Sequence, residues 1–129
     1  MPWVQLVALL ALIECFFFAY AVGNARVTYG VKAPATTGNE NFERYFRVQQ
    51  NTIEQMIVFL PALFIAANYW PAEWIAATGA VYLVGRILYF RGYVREPRAR
   101  HIGFVLSSVP IMLLVVAGCI GVVRALLAA

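Results

Sequence analysis

Between Phe42 and Leu63 a charged, aromatic segment, FERYFRVQQNTIEQMIVFLPAL, runs without interruption into a membrane-length apolar helix. Arg47, Asn51 and Glu54 are the residues in it that demand explanation. At ~100° per residue they fall in a stripe ~60° wide on one helix face, extending ~10 Å along the axis. A row of polar groups therefore descends into the bilayer. An ionised side chain at membrane depth costs roughly 3 kcal/mol or more, so this stripe must face protein or ligand instead of lipid.

The rest of the chain has the same character. Of its 129 residues, 63% are hydrophobic and 12% charged, with a mean hydropathy of +0.75, outside the range of a soluble domain of this size. Four apolar segments, Trp3–Ala25, Tyr45–Tyr69, Trp74–Tyr93 and Ile102–Val123, each approach the ~20 residues needed to cross ~30 Å of hydrocarbon. The expectation is an all-α integral membrane protein, a single four-helix transmembrane bundle over residues 1–129 with helices near 3–25, 43–69, 73–94 and 98–125. The first segment is read as a span and not a cleaved signal, because Glu14 interrupts it and no positive charge precedes it. Arg26, Lys32 and Arg44 flank the first loop and Arg91, Arg95, Arg98 and Arg100 crowd the third, so both loops are expected on the cytoplasmic side. That use of the arginines accounts for the net charge of +4 without nucleic acid. Cys15 and Cys119 fall inside spans, where thiols act as small buried hydrophobes, and imply neither a disulfide nor a metal site.

Glu14 lies near the middle of the first span and needs a partner or a proton. Pro61 is expected to bend the second helix. Along the third, Tyr82, Arg86, Tyr89 and Tyr93 recur at helical spacing on one face, and Arg86 lies at about the depth of Glu54 if Tyr93 and Arg47 are both near the cytoplasmic surface. The two polar stripes are therefore expected to face each other. The fourth helix begins after Glu96-Pro97 with Arg98 and Arg100 in or near its first turn, where the helix dipole adds to their positive potential and favours an anion. Trp3, Trp70 and Trp74 read as interfacial anchors.

Arginines, a carboxylate, an amide and tyrosine hydroxyls at one end of a bundle fit a zwitterion. Arg47 and Arg86 would hold carboxylates and Glu54 an ammonium, as a peptide such as glutathione would require. A sulfur near Arg100 would be favoured as thiolate, each unit of lowered thiol pKa being worth ~1.4 kcal/mol.

FERYFRVQQNTIEQ followed by VYLVGRILYFRGYVREPRAR resembles the MAPEG family, the membrane-associated proteins in eicosanoid and glutathione metabolism, over nearly the whole chain. The resemblance implies a four-helix protomer in a homotrimer, with glutathione as co-substrate between subunits, no metal, and a hydrophobic electrophile or lipid as the second partner. It implies glutathione S-transferase activity, with glutathione-dependent reduction of lipid hydroperoxides as a possible companion. Carried across, it places Arg47, Asn51, Glu54, Arg86, Tyr89, Tyr93 and Arg100 on one subunit and Arg26 and Gln49 on its neighbour, with Arg100 stabilising the thiolate. Gln55, Val27 and Met112 depart from the residues of the leukotriene-forming members, which argues against that product.

Two other classes fit parts of the chain. A non-catalytic lipid-binding member would share the fold but has no use for the glutathione set. A small multidrug-type transporter would use Glu14 but has no use for the stripes of helices two and three. The short loops and the lack of a C-terminal retention signal lead us to expect a bacterial inner membrane, or the endoplasmic reticulum in a eukaryote.

Overall fold

The structure, a computed structural model, describes residues 1–129, the side chain of Pro97 aside. Four long helices, α1 (Pro2–Tyr29), α2 (Glu40–Ala67), α3 (Ala72–Arg95) and α4 (His101–Ala128), are joined by short connections, with a 3₁₀ turn at Pro97–Arg100 leading into α4. There is no strand among the described residues.

Local chemistry sets the helix ends. Pro2 occupies the first turn of α1, where a missing N–H costs nothing. Gly30, at φ 70°, closes that helix in the left-handed conformation that glycine adopts without strain, and the Gly30 and Val31 amides both donate to the Arg26 carbonyl. The helix thus runs four residues beyond the expected end at 25, because the apolar run stops before the glycine that terminates it. Helix α2 starts at 40, three residues earlier than expected, because Asn39 caps it. The Asn39 side chain accepts from the Asn41 and Phe42 amides at 2.9 and 3.1 Å, and Glu43 reaches back to the Gly38 amide at 3.3 Å. It passes through Pro61 as one continuous helix and ends at Ala67. The expected start of helix four at 98 is a 3₁₀ turn, and α-helical geometry begins at His101.

Three helices, α1, α2 and the Arg98–Ala128 segment, are long and apolar enough to cross a membrane. Their outward faces carry residues such as Phe16, Ile57 and Leu127, each at least 70% exposed, as befits an integral membrane protein. Helix α3 is the remaining member of the bundle, and its arginines, glycines and tyrosines keep it out of that set. Buried Val4, Val7, Phe59, Leu63, Ile75 and Leu114 form the main core, where Phe59 stacks on Tyr82 with ring centroids 3.9 Å apart. Trp70, in the connection between α2 and α3, ties that connection to α4 by donating from Nε1 to the Ala117 carbonyl at 2.9 Å.

Helices α3 and α4 approach most closely through small residues, the device available where lipid removes most of the hydrophobic drive. A Cβ on Gly85 would lie 2.6 Å from the Leu106 carbonyl carbon and from the Ser107 nitrogen, and one on Gly103 would fall on the Tyr89 backbone. Farther along, a Cβ on Gly92 would strike the Ala99 carbonyl, so the 3₁₀ turn lies directly against α3.

Candidate functional site

At the end of the bundle where α2, α3, the 3₁₀ turn and α4 converge lies a cavity of about 680 Å³. Helix α2 contributes Arg47 and Asn51, α3 contributes Tyr89 and Tyr93, the turn contributes Arg98 and Arg100, and α4 contributes His101 and Phe104. The lining holds three arginines and no carboxylate. Such a wall attracts anions, and the positive end of the α4 dipole adds to it. The tyrosine rings stand 5.5 Å apart, and the Arg100 guanidinium carbon lies 5.8 Å from the Tyr93 centroid, within cation–π range. A smaller pocket of about 370 Å³, lined by Thr36, Glu40, Glu43, Arg44 and Phe46, shares Arg47 and Tyr93 with the first.

Five of the residues singled out from the sequence therefore share one cavity: Arg47, Asn51, Tyr89, Tyr93 and Arg100. Four stand elsewhere. Glu54, just outside, receives Arg47 Nη1 at 3.2 Å, with both side chains half-exposed. Arg26 donates to the Ala35 carbonyl at 2.7 Å and lies over the Phe42 ring at 4.8 Å. Gln49 is half-buried, and its Oε1 has no hydrogen-bond partner within the protomer.

Arg86 is the largest departure. It is 0% exposed, lies behind the cavity, and does not meet Glu54. Its Nη1 donates to Gln55 Oε1 at 2.7 Å and Ser107 Oγ at 3.2 Å, and its Nη2 to Asn51 Oδ1 at 3.0 Å and Thr52 Oγ1 at 2.8 Å. The acceptors are held in turn. Thr52 donates to the Val48 carbonyl, Ser107 to the Gly103 carbonyl, both at 2.8 Å, and Gln55 Nε2 to Ser108 Oγ at 3.3 Å. The guanidinium also lies 4.3 Å over the Tyr89 ring. The expected facing of the α2 and α3 stripes is thus realised through Asn51, not Glu54. Arg86 acts as a buried tie that fixes Asn51 and Tyr89 from behind, in an environment where unsatisfied donors are costly.

Arg98 joins Arg100 in the cavity, as the anion-attracting start of helix four led us to expect, whereas sequence reasoning missed His101 and Phe104 in the lining and the partners of Arg86. A buried arginine must find acceptors, and Thr52, Gln55 and Ser107 are polar side chains at its depth, so that signal was present. No cluster suited to a metal ion occurs among the described residues.

The MAPEG family model matches residues 4–120. The chain is 46% identical over 120 residues to an uncharacterized protein of Synechocystis sp., covering 93% of this chain and 88% of that one. It is 39% identical over 121 residues to human microsomal glutathione S-transferase 2, covering 94% and 82%, and 35% identical over 115 residues to bovine leukotriene C4 synthase, covering 89% and 77%.

Proposed function

Because the chain belongs to the MAPEG family, we propose that it is a membrane-bound glutathione S-transferase that adds the thiolate of glutathione to hydrophobic electrophiles. The observation that carries this reading is the cavity lined by Arg47, Arg98, Arg100, Asn51, Tyr89 and Tyr93 without a carboxylate. Glutathione carries two carboxylates and one ammonium, so it is an anion that becomes more negative as its thiol ionises, and such a wall favours both forms.

In this reading Arg100 is the catalytic residue, lying beside the sulfur and lowering the thiol pKa. Arg47 and Arg98 take carboxylates, Glu54 accepts the ammonium beside Arg47, and Asn51, Tyr89 and Tyr93 supply neutral hydrogen bonds. Arg86 contributes through Asn51, behind the ligand. The protomer forms a single four-helix domain, α3 spans the membrane with the others, and three copies assemble so that Arg26 and Gln49 complete the neighbouring site. The unpartnered Gln49 Oε1 supports that placement. The second substrate arrives from lipid. An apolar groove of about 470 Å³ between α2 and α4, lined by residues including Ile57, Pro61, Ile65, Val115 and Cys119, would concentrate it near the bundle. Reduction of lipid hydroperoxides would use the same thiolate. The loops bearing the arginines face the cytoplasm, in a bacterial inner membrane.

Detergent-solubilised protein should conjugate glutathione to chlorodinitrobenzene and show thiolate absorbance in the far ultraviolet when glutathione is added. Binding of lipid with neither signal would establish a non-catalytic lipid-binding protein instead. Within the transferase reading, Arg98→Ala should raise KM for glutathione about three- to tenfold and leave kcat nearly unchanged, as expected for a solvent-accessible charge that binds substrate and transition state alike. Steady-state kinetics at fixed electrophile concentration measure this.

A further inference from the structure

The donors of Arg86 do not balance. A guanidinium has five N–H groups; four of them reach Gln55, Ser107, Asn51 and Thr52, all neutral, and the fifth, on Nε, has no partner. The side chain is 0% exposed, so its charge is met by neutral hydrogen-bond acceptors and the Tyr89 ring face. Besides Gln49 Oε1, two buried oxygens are also without partners, Tyr82 Oη and Glu14 Oε1. Tyr82 is likewise 0% exposed and precedes Arg86 by one helical turn on the same face of α3. Glu14 on α1 lines a groove of about 570 Å³ together with Leu83 and Ile87, the α3 residues on either side of Arg86 in the chain.

We propose that Glu14 is the counter-ion of Arg86 within the membrane, joined to it through one water molecule held by Arg86 Nε, Tyr82 Oη and Glu14 Oε1. The hydrogen bonds balance: the water accepts from the guanidinium and the phenol and donates to the carboxylate. Glu14 is then a positioning residue. It holds the inner edge of Arg86 while the outer edge holds Asn51 against the cavity. This clause about Asn51 rests on the transferase reading; the ion pair does not. The intramembrane acid belongs to the protein's own framework and not to a transport path.

A double-mutant cycle tests the pairing: Glu14→Gln, Arg86→Met and the two together, each followed by thermal unfolding in detergent without glutathione. Either single change leaves one uncompensated buried charge, so each should lower the midpoint by about 4 °C or more. The double variant should fall clearly less than the sum of the two. Additive losses, or Glu14→Gln unfolding like the wild type, would overturn the pairing. If Arg86→Met does not fold alone, recovery of folded protein in the double variant supports the pairing and continued failure to fold overturns it. Calorimetry supplies the second readout. In Glu14→Gln, glutathione should bind three- to tenfold more weakly with kcat at saturation within twofold of wild type. Unchanged affinity, or no glutathione binding by the wild type, overturns the positioning clause while the cycle still decides the ion pair.

Discussion

Arg100→Ala is expected to reduce conjugation at neutral pH by about a hundredfold or more, mostly in kcat. Suppose the arginine lowers the thiol pKa by about two units from ~8.5. Its loss then cuts the thiolate fraction at pH 7 about 25-fold, while the more basic thiolate that remains is intrinsically about eightfold more nucleophilic at a Brønsted slope of 0.4–0.5. The net loss from ionisation alone is therefore about threefold. Loss of a charged group beside the reacting sulfur adds to it, and removal of a single transition-state donor in other enzymes costs about a hundredfold or more. The pH dependence separates the two parts. The wild-type rate should plateau above the lowered pKa, whereas that of the variant should keep rising to the ordinary thiol value, so the deficit narrows as pH increases. Arg100→Lys should restore part of the charge effect without the forked geometry. An Arg100→Ala variant as active as wild type across that range would refute the assignment.

The largest structural effect is expected at Gly103. A methyl there falls on the Tyr89 backbone, and backbone, unlike a flexible side chain, cannot rotate aside. Gly103→Ala should therefore force α3 and α4 apart, costing about 1–3 kcal/mol or more by the scale of overpacked cores. Gly85→Ala, against Leu106 and Ser107, should behave similarly. Gly23→Ala is the control, because the added methyl meets nothing within 4 Å apart from the adjoining backbone of its own helix. Thermal unfolding in detergent reads the difference. The effect on function should exceed that on stability, since Tyr89 lines the cavity and Ser107 holds Arg86.

Much of this arrangement was legible in the sequence because helical periodicity is strict. Arg47 and Asn51 share a face of α2, Tyr89 and Tyr93 one of α3, and a bilayer leaves such faces nowhere to go but inward. Charge patterns fail where two partners are available within reach. Glu54 is close enough in sequence to pair with Arg47 along its own helix, and it does so instead of crossing to Arg86. Arg86 finds hydroxyls and amides that hydropathy treats as near neutral: Ser107 sits within a long apolar run and reads as filler until an arginine is placed opposite. Arg98 and Arg100 were both legible as an anion-attracting helix start, and the local geometry explains how they share one cavity. A 3₁₀ turn advances ~120° per residue where an α-helix advances ~100°, and Pro97–Arg100 takes the tighter form, bringing Arg98 and Arg100 to the same cavity.

The contact between Gly92 and the Ala99 carbonyl has a consequence for how the basic turn is carried. Because that turn and the first turns of α4 both rest on the backbone of α3, its arginines keep register with Tyr89 and Tyr93. Bilayer thinning would be absorbed beyond these close approaches, and the spacing between cation and phenol would survive in membranes of different thickness.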